Sequence, residues 1–572
     1  MNDFRWPVTL LLTMALAGAG LSAAQGAEPG GPERLISRTD AVLITLSNEL
    51  DGATKKKLPA SKSELKSLKE YYDGAGAKLL WVNENGLKPK PAQALQTAFS
   101  RADSFGLDSK SYAIVDRSQF AAHKGYPAEW LADAELRMSL AAVSYAGDAQ
   151  AGRVVPSSID QEFVDLKPAR PEADAVLSGL AMAERDIAGN LESYHPRHPQ
   201  FIALKAKLAE ARTAVGAGAK SVRLPDGPSL GPNTYHPQVA ILRERFNVPP
   251  SDTAPRGNAA EYYDDALASA VRAFQQSKGL KPDGVVGRGT RDAMNEGAIS
   301  IGINTIIANM ERWRWEPRDL GERYIMVNIP EFVYRLVNRG KVVSEDRIVS
   351  GSPKNPTPIF SDEMETVVFN PYWYVPQSIL TKEILPVIQN SPDYLLRNNL
   401  EVVWLGRRTV DPYMVDWQQV NPTKVTLRQT PGPGNALGQV KFLFPNKHSV
   451  YMHDTPTKQL FDKPVRAYSH GCMRVRNPLT LAKILLSDQG WNDDRIERTL
   501  ASATDDHIKL TKRLPVHITY FTAWVDDSGE LKGFRDVYGY DASVRVALKL
   551  DSQNILASKT DDFEIGERGL RN

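Results

Sequence analysis

YSHGCMRV, residues 468–475, contains the only cysteine of the 572-residue chain. A single cysteine cannot form an internal disulfide, and a free thiol in an oxidising compartment is open to unwanted chemistry. Such a residue is either a buried, inert apolar side chain or a reactive group. Its neighbours favour the second reading, since His470 and Gly471 directly precede Cys472. A thiol attacks only as a thiolate, and a nearby histidine can take its proton.

Two histidines are candidates for that role. His470 is separated from Cys472 by Gly471, which permits a sharp turn. His453 stands at the end of a predicted strand in VYMHDTP (450–456), from which a loop can return to the cysteine. We expect His453 to be the general base and His470 to shape the loop. The amides of Gly471 and Cys472 are expected to bind an oxyanion, because glycine lets the backbone approach a substrate closely.

The residues beside His453 are weaker candidates. The backbone carbonyl of Asp454 could orient the second imidazole nitrogen, whereas the Asp454 side chain is interpreted as part of a turn before Pro456. Tyr451 precedes His453 by two positions, so both side chains would share one face of a strand. Tyr451 is therefore either a substrate contact or a core tyrosine.

Other residues of the region are candidate substrate contacts. Arg474 could hold a substrate carboxylate in two hydrogen bonds, or pair with a nearby acid. Ser469 could position the substrate or cap the turn, and His470 could contribute to the same pocket. Trp373, in NPYWYVP (370–376), could form a wall of that pocket.

The region around the cysteine alternates apolar and polar residues, as β-strands do. The alternation runs through ERYIMVNIPEFVYRLVNRGKVV (322–343), TVVFNPYWYVP (366–376) and KFLFPNKHSVYMHDTP (441–456). Between residues 377 and 438, a helical stretch and a Pro/Gly-rich stretch interrupt the pattern. An insertion this close to the cysteine is predicted to be a helical and irregular lid over the site.

Upstream of this β-rich region, residues 39–225 are mainly helical in pattern. AELRMSLAAVSYAGDAQAG (134–152) has apolar residues at helical spacing and a final glycine, Gly152, that could end the helix. Residues 224–237 are rich in Pro and Gly and are interpreted as a linker.

A compact segment follows at residues 236–297. It combines an amphipathic helix with GLKPDGVVG (279–287), in which Gly279 could cap that helix. A further helix is predicted to start with Thr290 as its N-cap. This pattern resembles the small three-helix peptidoglycan-binding domain that is attached to many cell-wall enzymes.

The first residues have the layout of a secretory signal peptide. Arg5 precedes an apolar run at 8–21, and cleavage is expected after Ala24 or Ala27. This predicts export to the periplasm; the alternative is an uncleaved inner-membrane anchor, although a span needs about 20 residues. The formal net charge is +2, so no polybasic surface for nucleic acid is expected.

HDTP (453–456) followed by YSHGCMRV resembles the active-site signature of the YkuD-type L,D-transpeptidases. ERWRW, FNPYWYVP, PGPGNALGQVKFLFPN and YFTAWVDD extend the resemblance, which covers most of the β-rich region. The whole chain is similar to the large, multidomain YcbB-like members, which implies a multidomain α+β architecture. The expected parts are a signal peptide (1–27), a helical scaffold (39–225), a three-helix peptidoglycan-binding domain (236–297), a mainly-β catalytic domain (305–545) with a lid insertion (377–438), and a polar C-terminal tail (546–572).

The resemblance also implies a chemistry. Cys472 takes the family's nucleophile position, His453 that of the base, and Gly471 with Cys472 that of the oxyanion loop. Met473 stands where family members usually carry another apolar residue, which is a mild change, while Arg474 matches many bacterial members. The implied donor is a peptidoglycan tetrapeptide, which acylates the cysteine as its terminal D-Ala leaves. The side-chain amine of a second stem then gives a 3→3 cross-link, and a carbapenem is expected to acylate the same thiol. No cofactor is implied.

Several alternatives stay open. His453, His470 and Cys472 could bind zinc, although the sequence lacks an HExxH motif or a Cys-x-x-Cys pair to complete such a site. The chain could also be a non-catalytic wall-binding protein. The acceptor could be a stem peptide, a lipoprotein lysine, the N-terminus of an outer-membrane protein or a free D-amino acid. With water as acceptor, the same site would be a carboxypeptidase.

Overall fold

The computed structural model describes residues 37–52, 60–74, 77–112, 126–183, 185–216, 224, 227–255, 257–296, 302–406 and 408–551. The predicted signal peptide lies outside the described residues, as do residues 552–572 of the predicted tail. Within the ranges just given, every helix is too short or too polar to cross a bilayer.

Most helices of the N-terminal region pack around one apolar core, whereas its last helix contributes Phe201, Leu204 and Leu208 to the core of the β-rich region. Its elements are α1 (Arg38–Gly52), α2 (Lys62–Asp73), β1 (Val82–Asn83), β2 (Gly86–Leu87), α3 (Pro89–Ser100), α4 (Ala128–Ala151), α5 (Ala173–Met182), α6 (Ile187–Glu192) and α7 (Pro199–Gly216). The predicted helix end at Gly152 is confirmed, since this glycine caps α4 with a φ of +86°. Glu135 of α4 is buried and accepts hydrogen bonds from the amides of Leu80, Trp81 and Val82, which anchors β1 to the core.

A second helical unit has its own small core. It contains α8 (Pro237–Phe246), α9 (Asp265–Ser277) and α10 (Arg288–Glu296). Gly279 follows α9 with a φ of +66°, as a helix-ending glycine does. The prediction that Thr290 is an N-cap is wrong: it lies inside α10, where its hydroxyl donates to the carbonyl of Val285. The predicted linker is partly structured, because Leu230 is buried in this core and pairs with Val286.

The β-rich region starts behind a short helix. Its first elements are α11 (Ile303–Trp313), β3 (Arg323–Asn328), β4 (Val333–Asn338), β5 (Lys341–Gly351) and β6 (Phe360–Phe369). The two-residue turn between β4 and β5 consists of Arg339 and Gly340, with φ values of +50° and +73°. Positive φ at both positions suits the right-handed twist of the flanking strands, so this turn sets the hairpin register.

The insertion contains strands as well as helices. Directly after β7 (Trp373–Tyr374), its elements are α12 (Gln377–Ile379), a π-helical turn (Leu380–Ile384), α13 (Leu385–Ile388), α14 (Asp393–Arg397), β8 (Leu400–Trp404), β9 (Arg408–Val410) and β10 (Val425–Gln429). These strands form an antiparallel sheet in the order β7-β10-β8-β9 over a separate apolar core. The prediction of a helical and irregular lid is therefore incomplete. Strands as short as β8 and β10 offer too few alternating positions to stand out in a sequence.

The remaining elements complete the main sheet. They are β11 (Val440–Leu443), β12 (Met452–His453), β13 (Ala467–Ser469), β14 (Met473–Val475), α15 (Pro478–Leu486), α16 (Asp493–Ala501), β15 (Asp506–Thr519), β16 (Ala523–Val525), β17 (Leu531–Gly533) and α17 (Tyr540–Ala547). The strand order is β13-β5-β14-β12-β11-β6-β15-β3-β4, and β4 also pairs with β5, so the sheet closes on itself. The predicted multidomain α+β class is confirmed. Helix α17 crosses the predicted domain end at residue 545, and Leu548 is buried in the same core.

Helix α11 ties the N-terminal region to the β-rich region. The carboxylate of Glu311 accepts hydrogen bonds from the amides of Arg153 and Val154, the latter at 2.7 Å. Arg314 lies 3.4 Å from Glu311 and donates to the carbonyl of Phe105 at 2.6 Å. Both charged side chains are buried, where an unpaired charge is costly. These bonds therefore fix how the two regions meet.

We predict that Glu311→Ala lowers the free energy of unfolding by about 3 kcal/mol, because it leaves two amides and Arg314 buried without their partner. Chemical denaturation followed by circular dichroism measures this loss. Glu322→Ala is the control; it removes an exposed ion pair with Arg339 and should cost less than about 1 kcal/mol. Equal losses in the two variants would contradict the role given to Glu311.

Candidate active site

Strands β12 and β14 bring the predicted catalytic residues together. The two strands pair in parallel, with Met452 opposite Met473 and His453 opposite Arg474. Both methionines are fully buried and face the core. Because side chains alternate along a strand, Tyr451, His453, Cys472 and Arg474 share the opposite face. The next pair along the register is Tyr451 with Cys472, supported by the hydrogen bond from the Met473 amide to the Tyr451 carbonyl at 3.0 Å.

The turn before Cys472 is held by buried hydrogen bonds. Gly471 has a φ of +114°, in the left-handed region that only glycine adopts without strain. The Ser469 hydroxyl donates to the Cys472 carbonyl and accepts from the Gly471 amide at 3.1 Å. The Thr357 hydroxyl donates to the Gly471 carbonyl at 2.7 Å. Of the two roles considered for Ser469, these contacts correspond to capping the turn.

The oxyanion prediction needs a correction. The Gly471 amide donates to the Ser469 hydroxyl in this conformation, so it already has an acceptor and is not free to bind an oxyanion. In a short, rigid turn, a side chain of the turn can accept a hydrogen bond from one of its own backbone amides. The sequence alone does not reveal which amide is used in this way. Of the two predicted donors, the Cys472 amide is the one that remains a candidate.

His453 is buried and held in one orientation. Its Nδ1–H donates to the backbone carbonyl of Asp454, the contact that we expected from the sequence. Because Nδ1 carries the hydrogen, Nε2 has the free lone pair that a general base requires. Burial, reinforced by the Arg474 charge, lowers the pKa of His453 to about 3. The Asp454 carboxylate accepts from the Gln439 amide at 2.9 Å and pairs with Lys458, so it has a structural task.

Cys472 is half-buried, and the Tyr451 side chain lies beside its thiol. Burial raises the pKa of the Cys472 thiol to about 11. The resting site therefore holds a neutral thiol and a neutral imidazole rather than a thiolate–imidazolium pair. Such a pair can move a proton from sulfur to nitrogen as the sulfur attacks a carbonyl carbon.

Lys441 is a site residue that the sequence analysis missed. It lies in β11 directly opposite His453, and its Nζ is 5.3 Å from the ring centroid of Tyr451. Burial lowers the pKa of Lys441, and its positive charge in turn lowers the pKa of the Cys472 thiol. One signal was available: Lys441 stands between the buried Val440 and Phe442, where a lysine on an alternating strand marks the opposite face.

Thr357 and Tyr538 were also missed. The Thr357 hydroxyl accepts from the Gly351 amide at 2.8 Å while it donates to Gly471. The Tyr538 hydroxyl donates to the Gly351 carbonyl at 2.7 Å. These residues are far from Cys472 in sequence and belong to no local motif, so only the fold reveals that they support the nucleophile loop.

His470 and Trp373 both make contacts with the insertion. His470 is about half exposed, and its Nε2 is 2.8 Å from the Glu383 carboxylate in the insertion. Trp373 packs against the apolar core of the insertion, whereas Cys472 packs against that of the main sheet. In the described residues, no cluster of three or more His, Cys, Asp or Glu side chains could hold a metal ion. The fold thus does not assemble the zinc ligands of the alternative reading.

Arg474 faces the site with an unused donor. It is half-buried, and burial lowers the pKa of its guanidinium. Among the described residues, its Nε has no hydrogen-bond partner. Of the two roles considered for Arg474, a carboxylate supplied by a ligand fits this unused donor better than an internal ion pair.

This fold and site define a class of protein, and family models agree with it. Residues 322–510 match the YkuD model, described as an L,D-transpeptidase catalytic domain. Residues 66–208 match a scaffold domain, and residues 238–294 match a domain described as "Putative peptidoglycan binding domain". The resemblance inferred from the sequence is thereby confirmed: the chain carries a YkuD-type L,D-transpeptidase catalytic domain with these two companion domains.

Individual relatives cover parts of the chain. A Haemophilus influenzae protein named "Putative L,D-transpeptidase" is 34% identical over 224 residues, which are 39% of this chain and 45% of that protein. The match thus spans less than half of the relative's length. The amidase CwlM of Mycobacterium tuberculosis is 44% identical over 54 residues, 9% of this chain and 13% of its own. A solved L,D-transpeptidase structure from Xylanimonas cellulosilytica aligns with 52% of this chain and 99% of its own, at 16% identity and a TM-score of 0.16.

We predict that His453→Ala lowers turnover about 10²- to 10⁴-fold, the usual contribution of a general base. His470→Ala should cost less than about tenfold, because this side chain contacts Glu383 rather than the thiol. Turnover of a defined muropeptide substrate, measured for both variants, gives the comparison. A greater loss in His470→Ala than in His453→Ala would reverse the assignment.

The reactivity of the thiol should report its raised pKa. At pH 7 a thiol with a pKa near 11 is a thiolate in about one molecule in ten thousand. Iodoacetamide alkylation of Cys472 should therefore rise about tenfold per pH unit from pH 6 to 9. Lys441→Met should slow alkylation about three- to tenfold, because the thiolate loses a nearby positive charge.

Lys447→Met is the matched control for this experiment, since Lys447 is exposed and pairs with Asp165. In the Lys447→Met variant, Cys472 should be alkylated at the same rate as in the unmodified chain. An alkylation rate that is already constant between pH 6 and 8 would indicate a preformed thiolate–imidazolium pair and would contradict the neutral resting state.

Proposed function

We propose that this chain is a cysteine-dependent peptidoglycan L,D-transpeptidase that forms 3→3 cross-links between stem peptides. The observation that carries the proposal is the shared strand face on which Cys472 and His453 lie, with the free Nε2 of His453 available as a base. The match of residues 322–510 to the catalytic-domain model supports the same chemistry.

The first half-reaction acylates the enzyme. The Cys472 sulfur attacks the carbonyl carbon of the third stem residue, and its proton passes to Nε2 of His453. The developing oxyanion is held by the Cys472 amide. The bond to the terminal D-Ala then breaks, and the leaving amine takes the proton from His453. The product is a thioester, and no cofactor takes part.

The second half-reaction transfers the acyl group. The side-chain amine of an acceptor stem attacks the thioester carbon and gives its proton to His453. The carbon–sulfur bond breaks, and the departing sulfur recovers that proton. The new amide is the 3→3 cross-link. Lys441 favours the transient thiolate in both halves by its charge, and the unused Nε of Arg474 suits a stem carboxylate.

The insertion covers the nucleophile from one side in this proposal. Its contact with the loop is the pair of Glu383 and His470, next to Gly471. A cover over the thioester limits the access of water, which favours an amine acceptor over hydrolysis. The helical region and the peptidoglycan-binding domain would hold the catalytic domain on its polymeric substrate.

Export to the periplasm completes the proposal. It rests on the basic residue, the apolar run and the small residues of the first 27 positions. The substrate lies in that compartment, and a lone cysteine cannot form an internal disulfide there.

We predict that the enzyme converts a purified tetrapeptide-containing disaccharide into a 3→3 dimer with loss of D-Ala, as detected by mass spectrometry. Cys472→Ala should abolish the product while keeping the circular dichroism spectrum, since alanine is a small change in a loop. A carbapenem should add its mass to the peptide that contains Cys472, and a chelator should not prevent this.

The outcomes separate the candidate functions. Dimer formation by a folded Cys472→Ala protein would contradict the covalent mechanism. Loss of D-Ala without dimer would indicate a carboxypeptidase. Product only with a lipoprotein or outer-membrane peptide as amine would identify a protein-attaching enzyme. An unreactive Cys472 would favour a non-catalytic wall-binding protein.

A further inference from the structure

A second cleft lies between the helical N-terminal region and the β-rich region, away from the thiol. Its volume is about 990 Å³. One side is the segment 196–200 at the start of α7, and the other comes from the end of α11 and from β3, β4 and β16. Its lining, among the described residues, includes neither Cys472 nor His453. Clefts between domains are frequent ligand sites.

Two buried polar atoms in this lining are unsatisfied. Glu316 is 7% exposed and Trp313 is 2% exposed. Within the described part of the chain, Oε2 of Glu316 and Nε1 of Trp313 have no hydrogen-bond partner. The Trp313 ring is stacked between His198 at 4.1 Å and Phe521 at 4.3 Å, so the direction of its N–H is fixed. Buried polar groups are almost always paired, so a bound water or a ligand with hydrogen-bonding groups would satisfy these two atoms.

The protonation state of Glu316 limits which hydrogen-bonding groups a ligand can present to it. Burial raises the pKa of this carboxyl to about 8, so it is mostly uncharged at neutral pH. A neutral carboxyl donates one hydrogen bond and accepts others, while the indole of Trp313 only donates. The matching ligand presents groups that both donate and accept, as hydroxyls do.

The charges of the lining exclude a strongly charged ligand. Acidic and basic side chains are mixed there, and several neutralise one another. Arg335 lies 2.7 Å from Glu345, pairs with Glu331, and has its guanidinium 4.9 Å from the ring centroid of Trp524. A nucleic acid or another polyanion would need an excess of free cations. The cleft therefore suits a neutral ligand.

Aromatic side chains supply the apolar part of the cleft. Trp524 and Phe534 are half-buried there, and Tyr324 lies beside them. Aromatic rings next to fixed hydrogen-bonding groups fit a molecule that has both C–H faces and hydroxyls. We propose that this cleft binds a saccharide, and specifically a segment of the glycan strand that carries the stem peptides. That the ligand is a saccharide is argued from the lining of the cleft alone. That the saccharide is the glycan strand rests on the proposed function.

This site would give the two regions a joint task. The stem peptide would enter the Cys472 site, while the glycan to which it is attached would lie between the helical and the β-rich regions. The cleft exists only where the two regions meet, so Gln200 has a part in forming it. The Gln200 side chain bonds both the amide and the carbonyl of Val525, at 3.0 and 2.6 Å, and fixes α7 against β16.

Calorimetric titration of the whole chain with tetra-N-acetylchitotetraose tests the proposal. We expect saturable binding that Trp524→Ala weakens about tenfold, because the cleft loses its largest partly exposed aromatic side chain. Glu316→Leu should weaken binding about tenfold, whereas Glu316→Gln should change it less than about threefold, since the amide still donates. Trp404→Ala is the matched control: it removes a half-buried tryptophan of the insertion and should leave the affinity unchanged.

Three results would overturn the proposal. They are an absence of binding to the unmodified chain, an equal affinity in all variants, and displacement of the sugar from the unmodified chain by a sugar-free stem tetrapeptide. An equal affinity would place the sugar elsewhere, for instance on the peptidoglycan-binding domain. Thermal melting shows whether each variant is folded. If Glu316→Leu does not fold, the affinity of Trp524→Ala alone tests the proposal. Failure here would leave conversion of a tetrapeptide by Cys472 untouched, so it is distinguishable from failure of the proposed function.

Discussion

The parallel pairing of β12 with β14 is the constraint on which the site depends. It fixes the register of Met452 with Met473 and so directs both methionines into the core. A slip by one residue would turn Tyr451 and His453 into the apolar core and the methionines out of it, which the apolar core opposes strongly. The same two strands lie between β5 and β11, so Lys441 joins the face from one neighbour. Hydrophobic burial on one side of the sheet thus arranges the polar groups on the other.

Burial also sets the electrostatics of that face. It raises the pKa of the Cys472 thiol and lowers that of the His453 imidazole, so both effects oppose an ion pair at rest. A neutral thiol resists adventitious oxidation, because oxidation proceeds through the thiolate. In the proposed mechanism, charge must therefore develop as the sulfur attacks. Lys441 and Arg474, both partly desolvated, are the groups that offset the cost of this charge.

Much of this arrangement could be predicted from the sequence, because the decisive signals are local. The glycine after α9 and the residues around Cys472 each follow from turn or strand chemistry within a few positions. Lys441, Thr357 and the use of the Gly471 amide could not be predicted in the same way. Their roles arise from neighbours that are distant in sequence, as in the bond from Thr357 to Gly471. The strands of the insertion were missed because β8 and β10 are too short to show a clear period.

The insertion is attached to the site unequally at its two ends. Its C-terminal end is followed by Gln439, whose amide is bound by the buried carboxylate of Asp454, the residue next to the base. A Cβ at Gly438 would lie 2.3 Å from that carboxylate, so only glycine lets the chain pass this close to Asp454. The N-terminal end meets the nucleophile loop through Glu383 and His470, which are both about half exposed. An exposed pair contributes about 1 kcal/mol or less. The insertion is therefore held more firmly at its C-terminal end, beside His453, than at Glu383, where it meets the loop that contains Cys472.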